Sequence, residues 1–128
     1  METKTLHGSC KCGTVKFEAD VDLSKGSIKC NCTSCWKRRW WTVAVKPPQF
    51  RSLAGDDSLS EHGHFCTKCG VIPYALMPKQ PWNDGEYYAV NVAVFDDLDP
   101  GELMGAPIRI CDGRNNNWFE QPEFVAHL

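Results

Sequence analysis

Phe65-Cys66-Thr67-Lys68-Cys69-Gly70 has the form of a metal knuckle. A C-x-x-C turn brings two thiolates within reach of one tetrahedral ion, with Zn–S bonds of about 2.3 Å. Backbone amides inside such a turn can point at the first sulfur and offset its charge. Gly70 follows where the chain often needs a positive φ, which glycine supplies cheaply. Two thiolates do not close a tetrahedron, so other parts of the chain must contribute.

Working outward, two further motifs qualify. Cys10-Lys11-Cys12-Gly13 spaces its thiols two apart, and on an extended segment residues i and i+2 face the same side. Gly13 again allows a sharp exit. Together with Cys66 and Cys69 this pair would make a closed, structural Cys₄ zinc site, which contributes to folding directly because the unfolded chain has no preformed cage. Cys30-Asn31-Cys32-Thr33-Ser34-Cys35 packs three thiols into six residues. Three protein ligands with an open fourth position is the arrangement of a reactive zinc site. An incoming thiol would be held there as thiolate at neutral pH, since a metal depresses thiol pKa strongly. Spacing also permits Cys32 and Cys35 to join Cys66 and Cys69, leaving Cys10, Cys12 and Cys30 for a second ion. Cys111, in the short apolar run Ile108-Arg109-Ile110-Cys111, stands apart and reads as a small buried hydrophobe.

Metal is favoured over disulfides by compartment. Of the eight cysteines seven fall in these motifs. The opening Met1-Glu2-Thr3-Lys4-Thr5-Leu6-His7-Gly8 lacks the apolar core of a signal peptide, which points to the cytoplasm, where thiols stay reduced. At 128 residues, 42% hydrophobic and 23% charged, the chain is expected to be one domain over residues 1–128 with a core of its own. No apolar stretch is long enough to span a bilayer. The formal net charge of −2 lacks the basic excess with which nucleic-acid binders displace phosphate counterions.

Alternation marks the strands. In Val15-Lys16-Phe17-Glu18-Ala19 the apolar residues share one face, and Trp41-Thr42-Val43-Ala44-Val45 behaves alike until Pro47-Pro48. Tyr88 to Val94 is the strongest run, with Tyr88, Val90, Val92 and Val94 on one side. Val71 to Met77 is expected at an edge or bulge because of Pro73, and Ile108 to Cys111 as a short late strand. Helix is expected only as single turns after Cys32 and near Leu98 to Leu103. The fold class is therefore all-β, with folded-over sheets or a sandwich and few or no helices.

The three cysteine motifs, in this order, resemble the glutathione-dependent formaldehyde-activating family (which includes centromere protein V), whose members have a Mss4-like fold. The resemblance opens with Gly8-Ser9-Cys10-Lys11-Cys12-Gly13-Thr14-Val15, runs through Cys30 to Cys35 and Phe65 to Gly70, and closes with Val90-Asn91-Val92, Phe95-Asp96-Asp97 and Trp118. It implies folded β-sheets around two zinc ions. Cys10, Cys12, Cys66 and Cys69 would hold the structural zinc; Cys30, Cys32 and Cys35 would hold the second, fully or partly occupied, next to the thiol-binding place. It also implies carbon–sulfur lyase chemistry, joining glutathione to formaldehyde as S-hydroxymethylglutathione. The chain departs from the family pattern in the bulky, basic run Trp36-Lys37-Arg38-Arg39-Trp40-Trp41.

Zinc bound by three thiolates carries a net charge of about −1, so holding and delivering a thiolate suits it better than polarising a carbonyl. Glutathione brings two carboxylates, for which Lys37, Arg38 and Arg39 are candidate partners, with Arg109 and Arg114 more distant ones. Trp36, Trp40 and Trp41 read as core or pocket wall. His7, His62, His64 and His127 have no ligand spacing and read as surface or packing residues. Two other functions compete. One is a non-catalytic zinc module for a protein or nucleic-acid partner, resting on the mixed cations and aromatics of residues 36–41. The other is a reductase similar to the B-type methionine sulfoxide reductases, using Cys111.

Overall fold

The computed structural model describes residues 3–61, 64–81 and 83–128. His62 lies outside the described residues. A three-stranded sheet is formed by β1 (Lys4–Ser9), β2 (Lys16–Val21) and β5 (Phe50–Ala54), in the order β1-β2-β5. A five-stranded sheet combines β3 (Ser27–Cys30), β4 (Trp41–Val45), β6 (Tyr74–Met77), β7 (Tyr87–Asn91) and β8 (Ile108–Cys111), in the order β6-β7-β4-β3-β8. Neighbours are antiparallel except β3 and β8, which run parallel with Cys30 opposite Cys111. Two short helices complete the elements that matter here: α1 (Thr33–Arg38) and α2 (Pro100–Gly105). The protein is mainly β, as its sequence leads one to expect.

The core lies where the two sheets face each other. On β2 the pattern is strict: Phe17, Ala19 and Val21 are buried, while Glu18 and Asp20 point away. Those outward carboxylates meet Arg51 of β5, whose Nε lies 2.8 Å from Glu18 and Nη2 2.8 Å from Asp20. Arg51 and then Thr5 pull the Asp20 carboxyl down to about 2. Opposite, β4 and β7 contribute Val43, Val45 and Val90. Phe17 sits between the sheets, with its ring centroid 5.4 Å from Phe50 and 5.3 Å from Tyr74. Burying a side chain of this size contributes about 1.5–3 kcal/mol by area alone.

The expected strand through Val94 is shorter than alternation suggests. Asn91 ends β7 by turning its side chain on the backbone: Oδ1 accepts from the Ala93 amide (3.0 Å) and Nδ2 donates to the Ile72 carbonyl (2.9 Å). Val92–Val94 then forms a 3₁₀ turn whose Val92 and Val94 remain buried, so the apolar periodicity survives without the strand. Pro73 precedes β6, an edge strand, consistent with proline's missing donor. Among the described residues no helix is long and apolar enough to cross a membrane.

Candidate metal centre

Cys10 and Cys12 lie in the turn between β1 and β2, and Cys66 and Cys69 in the loop before β6. Their four sulfurs all lie within 4.8 Å of one another. Cys10 Sγ is 3.6 Å from Cys12 Sγ, which is 3.8 Å from Cys66 Sγ. Four sulfurs about 2.3 Å from a central ion stand about 3.8 Å apart, so this group has the spacing of a closed tetrahedral cage. Both turns close in the same way: the Gly13 amide donates to the Cys10 carbonyl (3.0 Å) and the Gly70 amide to the Cys66 carbonyl (2.7 Å). Gly13 and Gly70 sit at φ +79° and +81°, where glycine is the residue without a steric penalty.

The surrounding donors favour ionised sulfur. The Val15 amide donates to Cys10 Sγ (3.3 Å). Thr14, through its hydroxyl and then its amide, holds the Cys12 thiol down to about 6. The amides of Val71 and Cys12 lower Cys69, whereas burial pushes Cys66 up. Sulfurs this close ionise together only against a cation.

A second cluster joins Cys30, Cys32 and Cys35, all half-buried and with sulfurs within 4.8 Å of one another. The fold therefore separates the seven thiols into four and three; the grouping of Cys32 and Cys35 with Cys66 and Cys69 is not the one it brings together. Cys30 ends β3, and Cys32 caps α1, its Sγ accepting from the Cys35 amide (3.4 Å). Cys30 Sγ accepts from the Cys32 amide (3.4 Å). Burial raises Cys32, but the Cys35 amide, then the neighbouring thiols of Cys35 and Cys30, and last the Ser34 amide outweigh it, and the net shift is downward. Burial raises Cys30 and Cys35, and the neighbouring thiolate at Cys32 raises them further. One proton leaves this cluster readily; removing all three needs a positive ion among them. Three soft ligands that leave one side open fit zinc with a free position.

The loop that carries this cluster is anchored by Asp112, Gly113, Arg114 and Asn115, of which the sequence singles out only Arg114, as a distant candidate cation. Asn31, buried, donates through Nδ2 to Asp112 Oδ1 (2.8 Å), while its Oδ1 accepts from the Arg114 amide (3.0 Å). Asp112, also buried, accepts from Asn115 Nδ2 at 3.0 Å, and Asn115 followed by Asn31 lowers its carboxyl. Arg114 Nε reaches the Asn31 carbonyl (3.3 Å), and its guanidinium lies over the Trp36 ring, 5.0 Å from the centroid. Gly113 packs against the cluster itself. A Cβ at that position would stand 2.8 Å from Cys30 Sγ and 2.5 Å from the Trp118 ring. The only local signal for this arrangement is a glycine between Asp112 and a polar run; its partner, Asn31, lies far away in sequence.

A cavity of about 310 Å³ reaches Cys30 and Cys35 and is walled by Trp36, Trp40 and Trp41, with Lys29, Arg39 and Leu128 at its edges. Of the three cations expected to receive substrate carboxylates, only Arg39 lines it; Lys37 and Arg38 are exposed on α1 outside it. Lys29, which sequence reasoning passed over, contributes the other positive charge, 4.4 Å above the Trp41 ring. Cys111 is half-buried, not fully buried, because β8 is an edge strand. It lines a separate cavity of about 420 Å³ with Ile28, Tyr87, Arg109, Trp118 and Phe119. His7 pairs with Asp97 (2.8 Å) at the surface, and the His127 ring stands edge-on to Trp36 with centroids 5.0 Å apart. Neither they nor His64 belong to a thiol cluster.

The sequence matches, over residues 5–107, the family described as glutathione-dependent formaldehyde-activating enzyme. The chain belongs to that family. Among solved structures, a Rhodobacter sphaeroides protein determined as a structural-genomics target is similar at a TM-score of 0.63 and 25% identity, covering 80% of this chain and 99% of that one. This formaldehyde-activating-family protein thus combines a Mss4-like β-fold with two cysteine clusters able to hold metal ions. Asp112, Gly113, Arg114 and Trp118 lie beyond the matched residues, so the support of the three-thiol loop comes from outside the family match.

Proposed function

We propose that this chain, acting as one domain, is a zinc-dependent enzyme of the carbon–sulfur lyase type. It joins glutathione or a similar thiol to a small aldehyde, as in forming S-hydroxymethylglutathione. The observation that carries this reading is the incomplete ligand set of Cys30, Cys32 and Cys35 at the end of a cavity large enough for part of a small peptide. Zinc bound there would hold an incoming thiol as its thiolate at neutral pH. The chain's own residues would do the rest. Trp36, Trp40 and Trp41 exclude water from one side of the sulfur, and Lys29 and Arg39 offer charge to carboxylates. The amides of Cys32 and Cys35 keep the protein sulfurs oriented. In the addition the thiol sulfur forms a bond to the carbonyl carbon, the C=O π bond opens onto oxygen, and that oxygen takes up the proton the thiol released. The closed cluster of Cys10, Cys12, Cys66 and Cys69 would be the structural zinc site.

The test is the exchange rate between ¹³C-formaldehyde, glutathione and their adduct, followed by NMR against the spontaneous background. Acceleration by the zinc-loaded protein, lost in Cys32→Ala, supports the reading; a rate equal to background with both sites filled removes it. A second reading, a non-catalytic zinc module, is favoured by the exposure of Trp36, Lys37 and Arg38 on one short helix. Binding of a single-stranded oligonucleotide at low salt by a protein indifferent to glutathione would support that instead.

A further inference from the structure

We propose that the cavity lined by Ile28, Tyr87, Arg109, Cys111, Trp118 and Phe119 binds an apolar carboxylate about the size of a benzoate. Lying beside the three-thiol cluster, it would seat the carbonyl partner of the reaction, so that a carboxylated aromatic aldehyde is accepted in preference to an uncharged one. That second assignment rests on the function proposed above; the binding class does not.

Strand register puts the cavity and the cluster on one face. In the parallel pair of β3 and β8, Ile28 stands beside Arg109 and Cys30 beside Cys111. Side chains alternate along a strand, so these four point to one side of the sheet. Ile28 is also opposite Thr42, the neighbour of core-facing Val43, and that side is therefore the one turned away from the other sheet. The chain after β8 folds back to wall it in. The Asn117 amide donates to the Asp112 carbonyl (2.9 Å) and the Asp112 amide to the Glu120 carbonyl (3.0 Å). Trp118 Nε1 donates to Asn116 Oδ1 (2.8 Å), which fixes the indole. A Cβ on Gly113 would meet both that ring and Cys30 Sγ, so Trp118 belongs to the cavity wall and to the surroundings of Cys30 alike.

The lining sets the ligand class. A cavity of about 420 Å³ walled by apolar and aromatic side chains with a single polar anchor is the usual form of a small-molecule site. Formaldehyde, one carbon and one oxygen, would use almost none of it. The rings of Tyr87, Trp118 and Phe119 suit a flat apolar body. Among the described residues Arg109 is the one charged group in the wall, and it has no carboxylate partner; its guanidinium lies 5.9 Å from the Phe119 ring centroid. A carboxylate can take two parallel hydrogen bonds from such a group. Arg109 also borders a neighbouring cavity of about 460 Å³, but there Asp20, Asp22, Asp84 and Glu86 outnumber Lys25 and Lys46 and would repel an anion. In the addition the glutathione sulfur bonds to the aldehyde carbon and the carbonyl oxygen takes up the thiol's proton, while ring and carboxylate stay unchanged.

The experiment titrates the zinc-loaded chain with 4-(hydroxymethyl)benzoate, which carries the ring and the carboxylate but no aldehyde. In proton–nitrogen NMR spectra the Trp118 indole signal should shift, and that of Trp36, in the other cavity, should not. Benzyl alcohol, which lacks the carboxylate, should bind about tenfold more weakly. Arg109→Gln should bring the two ligands to equal affinity, and Arg109→Lys should restore part of the difference. Equal affinities for the unaltered protein, or a shift at Trp36 in place of Trp118, overturn the inference, and neither result depends on a variant folding. The reaction is read separately. With glutathione, kcat/KM for 4-formylbenzoate should exceed that for benzaldehyde about tenfold, an advantage lost in Arg109→Gln. No such advantage removes the aldehyde assignment. If the benzoate binds as expected while no aldehyde reacts above background, formaldehyde included, the proposed reaction fails and the carboxylate site stands.

Discussion

The two thiol clusters are built from the same side chain and differ in nearly everything around it. The four-thiol group lies between two glycine-closed turns, far apart in sequence, and its sulfurs have the spacing of a tetrahedral cage. The three-thiol group sits within six residues at the junction of β3 and α1, one ligand short, beside a cavity. On the reading proposed above, long-range ligands would make a cage that staples the fold, and short-range ligands a site the fold carries without depending on it. In the first cluster the metal would replace a missing piece of core, and in the second it would serve chemistry.

The largest expected effect breaks this contrast from the structural side. Structural zinc contributes about 10–16 kcal/mol in small zinc domains, comparable to the whole 5–15 kcal/mol stability of a domain. Cys69→Ala should therefore abolish cooperative unfolding by circular dichroism. Cys32→Ala should instead leave a folded protein, with metal content dropping from about two ions per chain to about one by elemental analysis. If the two variants behave alike, the division of labour is wrong.

Smaller effects sharpen the comparison. Gly113→Ala forces a methyl to within 2.8 Å of Cys30 Sγ, so it should weaken metal at the three-thiol site. A loss of about 10–100-fold, the usual size when support around ligands is disturbed, would appear in cobalt titrations as a weaker second phase, with the first unchanged. The smallest effect belongs to the strand leading into the four-thiol turn. Asp97, and more weakly Glu18, raise the His7 pKa, so the charged pair holds β1 to the 95–97 segment fully below the unfolded value of about 6.5. That contribution is lost as pH rises through the folded value. An NMR titration should place the His7 midpoint above that of a free histidine, and Asp97→Asn should bring it back.

What was legible in the sequence follows from the range of the interactions. Alternation revealed β2, β4 and β8 because each buries one face or carries a compact apolar run. It missed β1, β3 and β5, whose residues are mixed and whose strand character comes from pairing. The expected turn after Cys32 is α1, and that near Leu98 is α2, capped by Asp99 with Pro100 at its start. Adjacent cysteines advertise a metal site, so both clusters could be found. The buried pair Asn31 and Asp112, and the approach of Gly113 to Cys30, join residues about eighty positions apart, and nothing in local composition announces them. The cations of the cavity were half visible for another reason. Both flank the cysteine run, Lys29 directly before Cys30 and Arg39 four residues after Cys35, but Lys29 lies on β3, and only the pairing of β3 with β4 puts its ammonium over Trp41.

The parallel pairing of β3 with β8 sets an order of events. Every ligand of the closed cage has been made once the chain reaches Cys69, whereas the Asp112–Gly113–Arg114 clasp around Asn31 arrives with the last strand. The chain is synthesised from its N-terminus, so the four cage ligands are all present before the clasp is made. If the first cluster takes its ion early, a nascent molecule would be stapled there while the three thiols of Cys30, Cys32 and Cys35 still lack their brace, and any chemistry at them would come last.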